Sequence, residues 1–138
     1  AIIAGISVGT LVSLGSALAL AVAMGLTREQ YVTLLPKSVT TAISMDVAAE
    51  LGGIAALTGA IVILTGIAGN LLAETVCKVF HITDPIAKGV GIGTSAHAVG
   101  TSKALQMGEV EGAMSGLSIA VAGVLTAVLC PVFVNFIN

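Results

Sequence analysis

The sequence predicts an all-α integral membrane protein, a polytopic helical bundle in which two repeated re-entrant or discontinuous helices pack against three long transmembrane helices. Of the 138 residues, 57% are hydrophobic and 9% are charged, whereas soluble domains carry about 25% charged residues. Three stretches contain no charged side chain: Ala1–Leu26, Leu51–Ala73 and Gly112–Asn138. Each exceeds the roughly 20 apolar residues that cross the hydrocarbon core. The lipid bilayer is therefore the expected environment of this chain.

The charge, the start of the sequence and the cysteine spacing argue against three further features: a nucleic-acid partner, a secretory signal and a metal site. The net charge of -2 argues against a nucleic-acid partner, because such proteins carry a basic patch. The first apolar stretch has no basic start and no initiator Met, and it is too long for a secretory signal, so we expect the chain to be the C-terminal part of a longer protein. Cys77 and Cys130 lack metal-site spacing and are expected to be small buried residues, so the sequence predicts no metal and no cofactor.

Two polar, glycine-rich stretches separate the apolar ones: LPKSVTTAISMDVAAELGG (residues 35–53) and GVGIGTSAHAVGTSKALQMG (residues 89–108). A shift of 56 residues places Ala42 on Ala98 and Gly52 on Gly108. The order of hydroxyl cluster, glycine and apolar span recurs, which predicts an internal duplication with repeat units at about 35–80 and 91–136 inside one membrane domain of residues 1–138. Repeats with an interrupted hydrophobic segment point to the binding site of a transporter.

Neither polar stretch resembles an ordinary span. At the helical rise, residues 37–52 cover roughly 24 Å, which is short of the hydrocarbon core, and unwound backbone is tolerated in a membrane only where protein buries it or water lines it. If the stretches are re-entrant, the two repeats are inverted. If they cross fully, the repeats are parallel and four basic residues share one side, which the positive-inside rule favours: Arg28, Lys37, Lys78 and Lys88. The charge count favours crossing, and both arrangements stay open.

The first polar stretch has the features of an anion site. Proline in residues 34–38 is typical of a helix start, and free N–H groups at a helix start bind anions. Lys37 adds a full positive charge there, and the hydroxyls of Ser38, Thr40 and Thr41 add hydrogen-bonding groups. The alternative is that the hydroxyls mediate helix packing while Lys37 extends to the lipid headgroups.

The second polar stretch repeats this chemistry. Thr94, His97 and Thr101 are spaced to share one helical stripe, and Ser95 lies beside it. Gly93 and the two glycines before it permit the close backbone approach that anion-cradling turns require.

Ionisable residues inside a membrane are functional candidates. His97 is a candidate to hydrogen-bond a substrate carboxylate or to carry a coupled proton. Lys103 either attracts the same anion or pairs with Asp46 or Glu50. These two acids, with His97, are the candidates for ion or proton coupling.

Three helix starts follow from capping signals. Thr27 is predicted to cap a short interfacial helix, and Asp84-Pro85 is typical of a turn followed by a new helix. Glu109 and Glu111 are predicted to lie in the first turn of the last span, where carboxylates are favoured.

The runs LPKSVTTAISM, GGIAALTGAIVILTGI and DPIAKGVGIGTSAHAVGTSKALQMGEVEGAMSGL closely resemble the LrgB/CidB family of bacterial membrane proteins. The resemblance covers nearly the whole chain. It implies a multi-pass protein of the bacterial cell membrane that controls murein hydrolase activity and autolysis with a small LrgA/CidA-type partner. Several members, and plant plastid relatives, are associated with transport of monocarboxylates such as pyruvate, glycolate or glycerate.

The family motifs fall on the residues already singled out: Pro36, Lys37, Ser38, Thr40, Thr41, Gly93, Thr94, Ser95, His97, Gly100 and Thr101. The chain has Ala42 where the family usually has proline, and Lys103 where many members have arginine, which loses a bidentate fork for a carboxylate.

Two functions follow as expectations. The first is a transporter of small organic anions, which binds a small carboxylate at the two polar stretches and forms a homo-oligomer, a dimer. The alternative is a non-transporting holin- or antiholin-like regulatory subunit. An enzyme is not expected, because Ser95 and His97 point apart on a helix and no activated-nucleophile signature is present.

Overall fold

The computed structural model describes residues 1–137, which form six α-helices and one 3₁₀ turn. The helices are α1 (Ile2–Met24), α2 (Arg28–Leu34), α3 (Thr41–Glu50), α4 (Ala55–Val79), α5 (Pro85–Met107) and α6 (Glu109–Phe133), and the 3₁₀ turn is Val134–Phe136. Three segments are long and apolar enough to cross a membrane: Ile2–Met24, Ala55–Val79 and Glu109–Phe136. The predicted all-α class and its three long apolar helices are confirmed.

The predicted helix starts at Thr27 and Asp84 are confirmed by their side-chain caps. Thr27 Oγ1 accepts from the backbone N–H of Gln30 at 3.3 Å, and the Gln30 side chain accepts from the Thr27 N–H in return. Asp84 Oδ1 accepts from the N–H of Ala87 at 2.8 Å, one turn into α5. The first turn of α6 contains both predicted acids, Glu109 and Glu111.

The predicted helix start at residues 34–38 is wrong, because these residues end one helix instead of beginning the next. α2 stops at Leu34, and residues 35–40 form a turn before α3 begins at Thr41. Pro36 cannot continue α2 without losing a backbone hydrogen bond. The Ser44 hydroxyl donates to the carbonyl oxygens of Pro36 at 2.7 Å and Val39 at 3.2 Å. It therefore satisfies backbone groups that the turn leaves without helical partners.

After α2 the chain turns at residues 35–40 and returns through α3 to the level of Thr33, and we call this re-entering segment hairpin 1 (residues 28–50). At its base, Thr33 in α2 lies beside the residues that follow α3. Thr33 Oγ1 accepts from the N–H of Ile54 at 2.9 Å, and the Thr33 carbonyl accepts from the hydroxyl of Thr58 at 2.8 Å. The turn at residues 35–40 is thus the tip of the hairpin, and the connection to α4 is at its base.

α5 also reverses direction, at His97, where φ is 42° and ψ is -140°. A Cβ on Gly100 would lie 3.0 Å from Cγ2 of Ile92, although residues eight apart in a straight helix are about 12 Å apart. Ile92 also shares a buried apolar cluster with Ala104. Two arms, residues 85–96 and 98–107, therefore pack side by side as hairpin 2 (residues 85–107). The predicted continuous stripe of Thr94, His97 and Thr101 is wrong, because non-helical backbone interrupts it.

The bases of the two hairpins lie at opposite ends of the bundle. α1 runs alongside the first arm of hairpin 2 in the same direction, since Gly5 lies beside Val90 and Gly9 lies beside Thr94. The start of α1 is therefore at the same end as the base of hairpin 2. At the other end, the Tyr31 hydroxyl at the base of hairpin 1 donates to the carbonyl of Phe133 at 2.9 Å.

The glycines of the second polar stretch serve helix packing, so the predicted anion-cradling turn at Gly93 is wrong. Gly89 and Gly93 are helical, four residues apart, and both face α6. A Cβ on Gly93 would lie 2.8 Å from Cβ of Ser118 and 2.9 Å from Cα of Ser115. This is the small-xxx-small contact that lets membrane helices approach closely.

The order of elements repeats along the chain. The 56-residue shift takes the start of α3, Thr41, to His97, where the second arm of hairpin 2 begins, and takes the start of α4, Ala55, to Glu111 in the first turn of α6. α4 and α6 each contain 25 residues. An internal duplication would produce this order, and the repeat units themselves stay a prediction.

Candidate functional site

A cavity of about 300 Å³ lies where the tip of hairpin 1 approaches the first arm of hairpin 2. Most of its lining residues carry hydroxyls, and Lys37 is the one charged residue among them. The lining consists of Gly9, Val12, Ser13, Ser16, Lys37, Ser38, Thr65, Thr94 and Ser95. The two polar stretches of the sequence thus meet in one cavity, which we call the Lys37 cavity.

The ammonium of Lys37 is held by neutral oxygens. Its Nζ lies 3.4 Å from Oγ of Ser13 and 3.3 Å from Oγ of Ser38, and the side chain is half-buried. Within residues 1–137, no carboxylate forms an ion pair with it. A partly desolvated cation without a counter-ion is costly, so this arrangement favours the entry of an anion.

Ser38 supplies a second hydrogen-bond donor. Its oxygen accepts from Lys37 Nζ and from the hydroxyl of Ser13, the latter at 2.7 Å. A hydroxyl has one proton and two lone pairs, so the Ser38 proton is still available. An ammonium and a hydroxyl side by side can hydrogen-bond both oxygens of a carboxylate.

The hydroxyls of hairpin 2 and α4 point toward their own helices. Thr94 donates to the carbonyl of Val90 at 2.8 Å, and Ser95 donates to the carbonyl of Gly91 at 2.7 Å. Thr65 in α4 donates to its own helix in the same way. These three residues make the cavity wall polar, but each would have to rotate about χ1 before donating to a bound anion.

His97 and Thr101 lie in helix contacts and do not line the Lys37 cavity. The His97 ring is buried, with Nε2 2.9 Å from the carbonyl oxygen of Val62 in α4. A carbonyl only accepts hydrogen bonds, so Nε2 carries the proton and donates. The Thr101 hydroxyl bonds to the carbonyl of His97 at 2.9 Å and to Oγ of Ser115 at 2.7 Å.

Lys103 pairs with Glu74 at 2.6 Å, so its predicted pairing with Asp46 or Glu50 is wrong. Lys103 lies on the second arm of hairpin 2, beside α4, whereas both acids lie on α3 in the other hairpin. Asp46 and Glu50 are exposed, and neither forms an ion pair within the described part of the chain.

The remaining two hydroxyls of the predicted site lie outside the cavity lining. Thr40 is the N-cap residue of α3, although its side chain makes no capping hydrogen bond. The methyl group of Thr41 faces Gly59 of α4, 3.6 Å from the position of a Cβ there. Both belong to the tip of hairpin 1 without lining the Lys37 cavity.

Sequence reasoning missed the three other polar residues of the cavity, Ser13, Ser16 and Thr65, because they lie inside spans that look uniformly apolar. One signal was available for α1. Thr10, Ser13 and Ser16 follow each other at three-residue intervals in a stretch without charges, which places them close together on one side of a helix.

Comparisons with known proteins identify the family of the chain. The model of the LrgB-like family matches residues 1–136. Proteins named "Antiholin-like protein LrgB" from Bacillus mycoides (strain KBAB4), Bacillus cereus (strain B4264) and Bacillus anthracis (strain CDC 684 / NRRL 3495) are each 38% identical to the chain over 137 residues. This alignment covers 99% of the chain and 60% of each relative, so the chain spans about 60% of their length. No solved structure matches. A family match over nearly the whole chain, joined to three membrane-length helices, shows that this membrane protein belongs to the LrgB-like family.

Proposed function

We propose that the chain is the membrane part of an antiholin-like regulator that acts in the control of autolysis. The supporting observation is the 38% identity, over 99% of the chain, with proteins that carry the antiholin-like name. In this proposal the protein resides in the bacterial cell membrane, restrains murein hydrolase activity, and works as a homo-oligomer, a dimer, with a small LrgA/CidA-type membrane partner.

Complementation of a deletion strain tests this proposal. Loss of the gene should speed detergent-induced lysis, and the wild-type gene should restore the slower rate. A complemented strain that expresses the protein in its membrane and still lyses at the deletion rate would contradict the regulatory role.

A second function, the passage of a small monocarboxylate, is favoured by the Lys37 cavity. Its volume of about 300 Å³ lies at the lower end of the range for ligand pockets, which is roughly 300–1,000 Å³. Lys37 and Ser38 offer two donors to one carboxylate, and the hydroxyl-rich wall suits the hydroxyl or keto group of glycolate, glycerate, lactate or pyruvate. Aromatic and large apolar acids have no matching wall there.

The arrangement of the hairpins supports the same reading. If the three long helices cross the bilayer, hairpins 1 and 2 enter it from opposite faces and their polar parts meet near the middle. The two repeats would then be inverted, a plan found in many secondary transporters whose sites lie near the midplane. Of the coupling candidates, His97 is buried against α4, whereas Asp46 and Glu50 are exposed on α3.

Flux measurements on Lys37 variants separate the two functions. In proteoliposomes, uptake of labelled glycolate, glycerate, lactate or pyruvate should fall at least about tenfold in Lys37→Gln, because a charged hydrogen-bond partner is worth about 1.5–3 kcal/mol. Arg28→Gln, at an exposed helix start, is the matched control and should keep the wild-type rate. If none of the four acids is taken up when the protein is folded and its partner is present, the transport function is contradicted. Full lysis control by Lys37→Gln would then assign the regulatory role to other surfaces.

A further inference from the structure

A second cavity, of about 440 Å³, lies at the base of hairpin 2, where α4 turns into α5. It shares no lining residue with the Lys37 cavity. Its lining includes two lysines, one histidine and one glutamate, together with apolar side chains: Glu74, Cys77, Lys78, His81, Ile82, Thr83, Lys88 and Met107. We call it the basic cavity.

The basic cavity continues into an apolar one. A neighbouring cavity of about 350 Å³ lies between α4 and the first arm of hairpin 2, and the two share Cys77, Ile82 and Lys88. The walls of the second cavity are almost entirely apolar and reach Gly69 and Ser95, the latter also a lining residue of the Lys37 cavity. We call it the apolar groove. The basic cavity thus opens directly onto the apolar groove.

The basic cavity carries a net positive charge once the ion pair between Glu74 and Lys103 is counted. The Glu74 carboxylate is bound by Lys103 at 2.6 Å and lies 3.8 Å from Lys78. The closer lysine neutralises the only acid of the lining. Lys78, whose side chain is 80% exposed, and Lys88 then remain to attract an anion.

The turn between the helices adds a third polar group, the side chain of His81. His81 has a positive φ of 55°, and the N–H of Ile82 donates to the carbonyl of Cys77 at 2.9 Å, which closes the end of α4. His81 is one of the lining residues of the cavity, and an imidazole N–H can donate to a phosphate oxygen in either protonation state.

We propose that the basic cavity and the apolar groove together bind one anionic phospholipid. The phosphate lies between Lys78, Lys88 and His81, and an acyl chain lies in the apolar groove. The position fits a lipid, because the end of a 25-residue apolar helix lies at headgroup level in a bilayer. Basic pockets between membrane helices are known to bind such headgroups. A free phosphate would use the lysines alone and leave the apolar groove without a role.

Lipid-dependent stability tests this site, independently of any transport or lysis function. The purified protein is titrated with phosphatidylglycerol or phosphatidylcholine in mixed micelles, and the shift in Tm is recorded. Phosphatidylglycerol should stabilise the wild-type protein more, and its apparent affinity should fall about fivefold for each lysine removed, in Lys78→Gln and Lys88→Gln. Arg28→Gln, at the opposite end of the bundle, should retain the wild-type preference.

A variant of the groove distinguishes a lipid from an ion. Gly91 lines the apolar groove, and a Cβ there would meet no atom within 4 Å, so the side chain of Gly91→Leu begins in open space and should occupy part of the groove and weaken phosphatidylglycerol binding. Inorganic phosphate should give no comparable shift. Equal shifts with both lipids, or a phosphate shift equal to that of phosphatidylglycerol with Gly91→Leu unchanged, would overturn the proposal.

Discussion

At the scale of single residues, hydroxyl side chains replace water for backbone that leaves the helical pattern. Ser44 is fully buried and donates to the carbonyls of Pro36 and Val39 in the tip of hairpin 1. Thr33 performs the same task at the base, where it accepts from Ile54 N–H. In a membrane such backbone groups have no water to bind, so the first role of these hydroxyls is structural.

Removal of the Ser44 hydroxyl should therefore destabilise the protein. Ser44→Ala removes the one donor that the buried carbonyls of Pro36 and Val39 share, which costs about 1–3 kcal/mol. The matched control is Ser7→Ala, since Ser7 is half-buried and donates only to the Ile3 carbonyl of its own helix, and its effect should stay within about 0.5 kcal/mol. Unfolding by SDS, followed by circular dichroism, measures both. Equal stabilities would show that the tip does not depend on Ser44.

The predicted site residues divide according to what the backbone does around them. Lys37, Ser38, Thr94 and Ser95 were predictable from residue type and do line one cavity. His97 was predicted from the same stretch, yet its ring turns to α4, because its positive φ redirects the side chain. No spacing rule for a continuous helix could reveal that change of direction.

At the scale of elements, the glycines of hairpin 2 differ in whether they face a neighbouring helix. A Cβ on Gly93 would strike α6, whereas one on Gly91 would enter open space. The sequence shows both as parts of one glycine-rich run, so it indicated backbone able to cradle an anion, where the structure has a tightly packed helical arm.

This difference makes a matched pair of variants on one helical arm. Gly93→Ala should destabilise the protein by about 1–3 kcal/mol through overpacking against α6. Gly91→Ala should be neutral or stabilise it by up to ~1 kcal/mol, because alanine is the better helix former. The SDS unfolding midpoint reports both changes. Similar effects of the two variants would argue against the packing of this arm on α6.

Polar links hold the second hairpin to α4, and Asn70 is the clearest of them. Its Nδ2 donates to the carbonyl of Val99 at 2.8 Å and to the hydroxyl of Ser102 at 3.1 Å. Asn70→Ala should cost ~0.6 kcal/mol and no more than ~1.7 kcal/mol, the range measured for hydrogen bonds between membrane helices.

Hydrogen–deuterium exchange locates that loss. Faster exchange in the second arm, residues 98–107, is expected in Asn70→Ala, with hairpin 1 unchanged. Faster exchange in hairpin 1 alone would place the role of Asn70 elsewhere.

At the scale of the whole molecule, the fold brings together two polar stretches that are about 56 residues apart in the chain. The apolar stretches and their lengths were sufficient to predict the three long helices. They were insufficient to predict whether α5 crosses or turns back, and the count of basic residues favoured crossing. The turn at His97 depends on side-by-side packing of Ile92 against Gly100, a tertiary contact that no local pattern encodes.

The reversal of α5 decides whether the Lys37 cavity lies between two facing hairpins, so it is the feature to test first. Single cysteines at Thr83 and Glu109, both exposed, would flank hairpin 2 in a protein whose buried Cys77 and Cys130 are replaced by alanine. Glu50→Cys, at the base of hairpin 1, serves as the control for the opposite face.

Labelling with a membrane-impermeant maleimide, applied to intact and to inside-out membrane vesicles, gives the answer directly. We expect the cysteines at 83 and 109 to react from one and the same side, and the cysteine at 50 to react from the other. Reaction of 83 and 109 from opposite sides would mean that α5 crosses the bilayer, and it would contradict the facing hairpins.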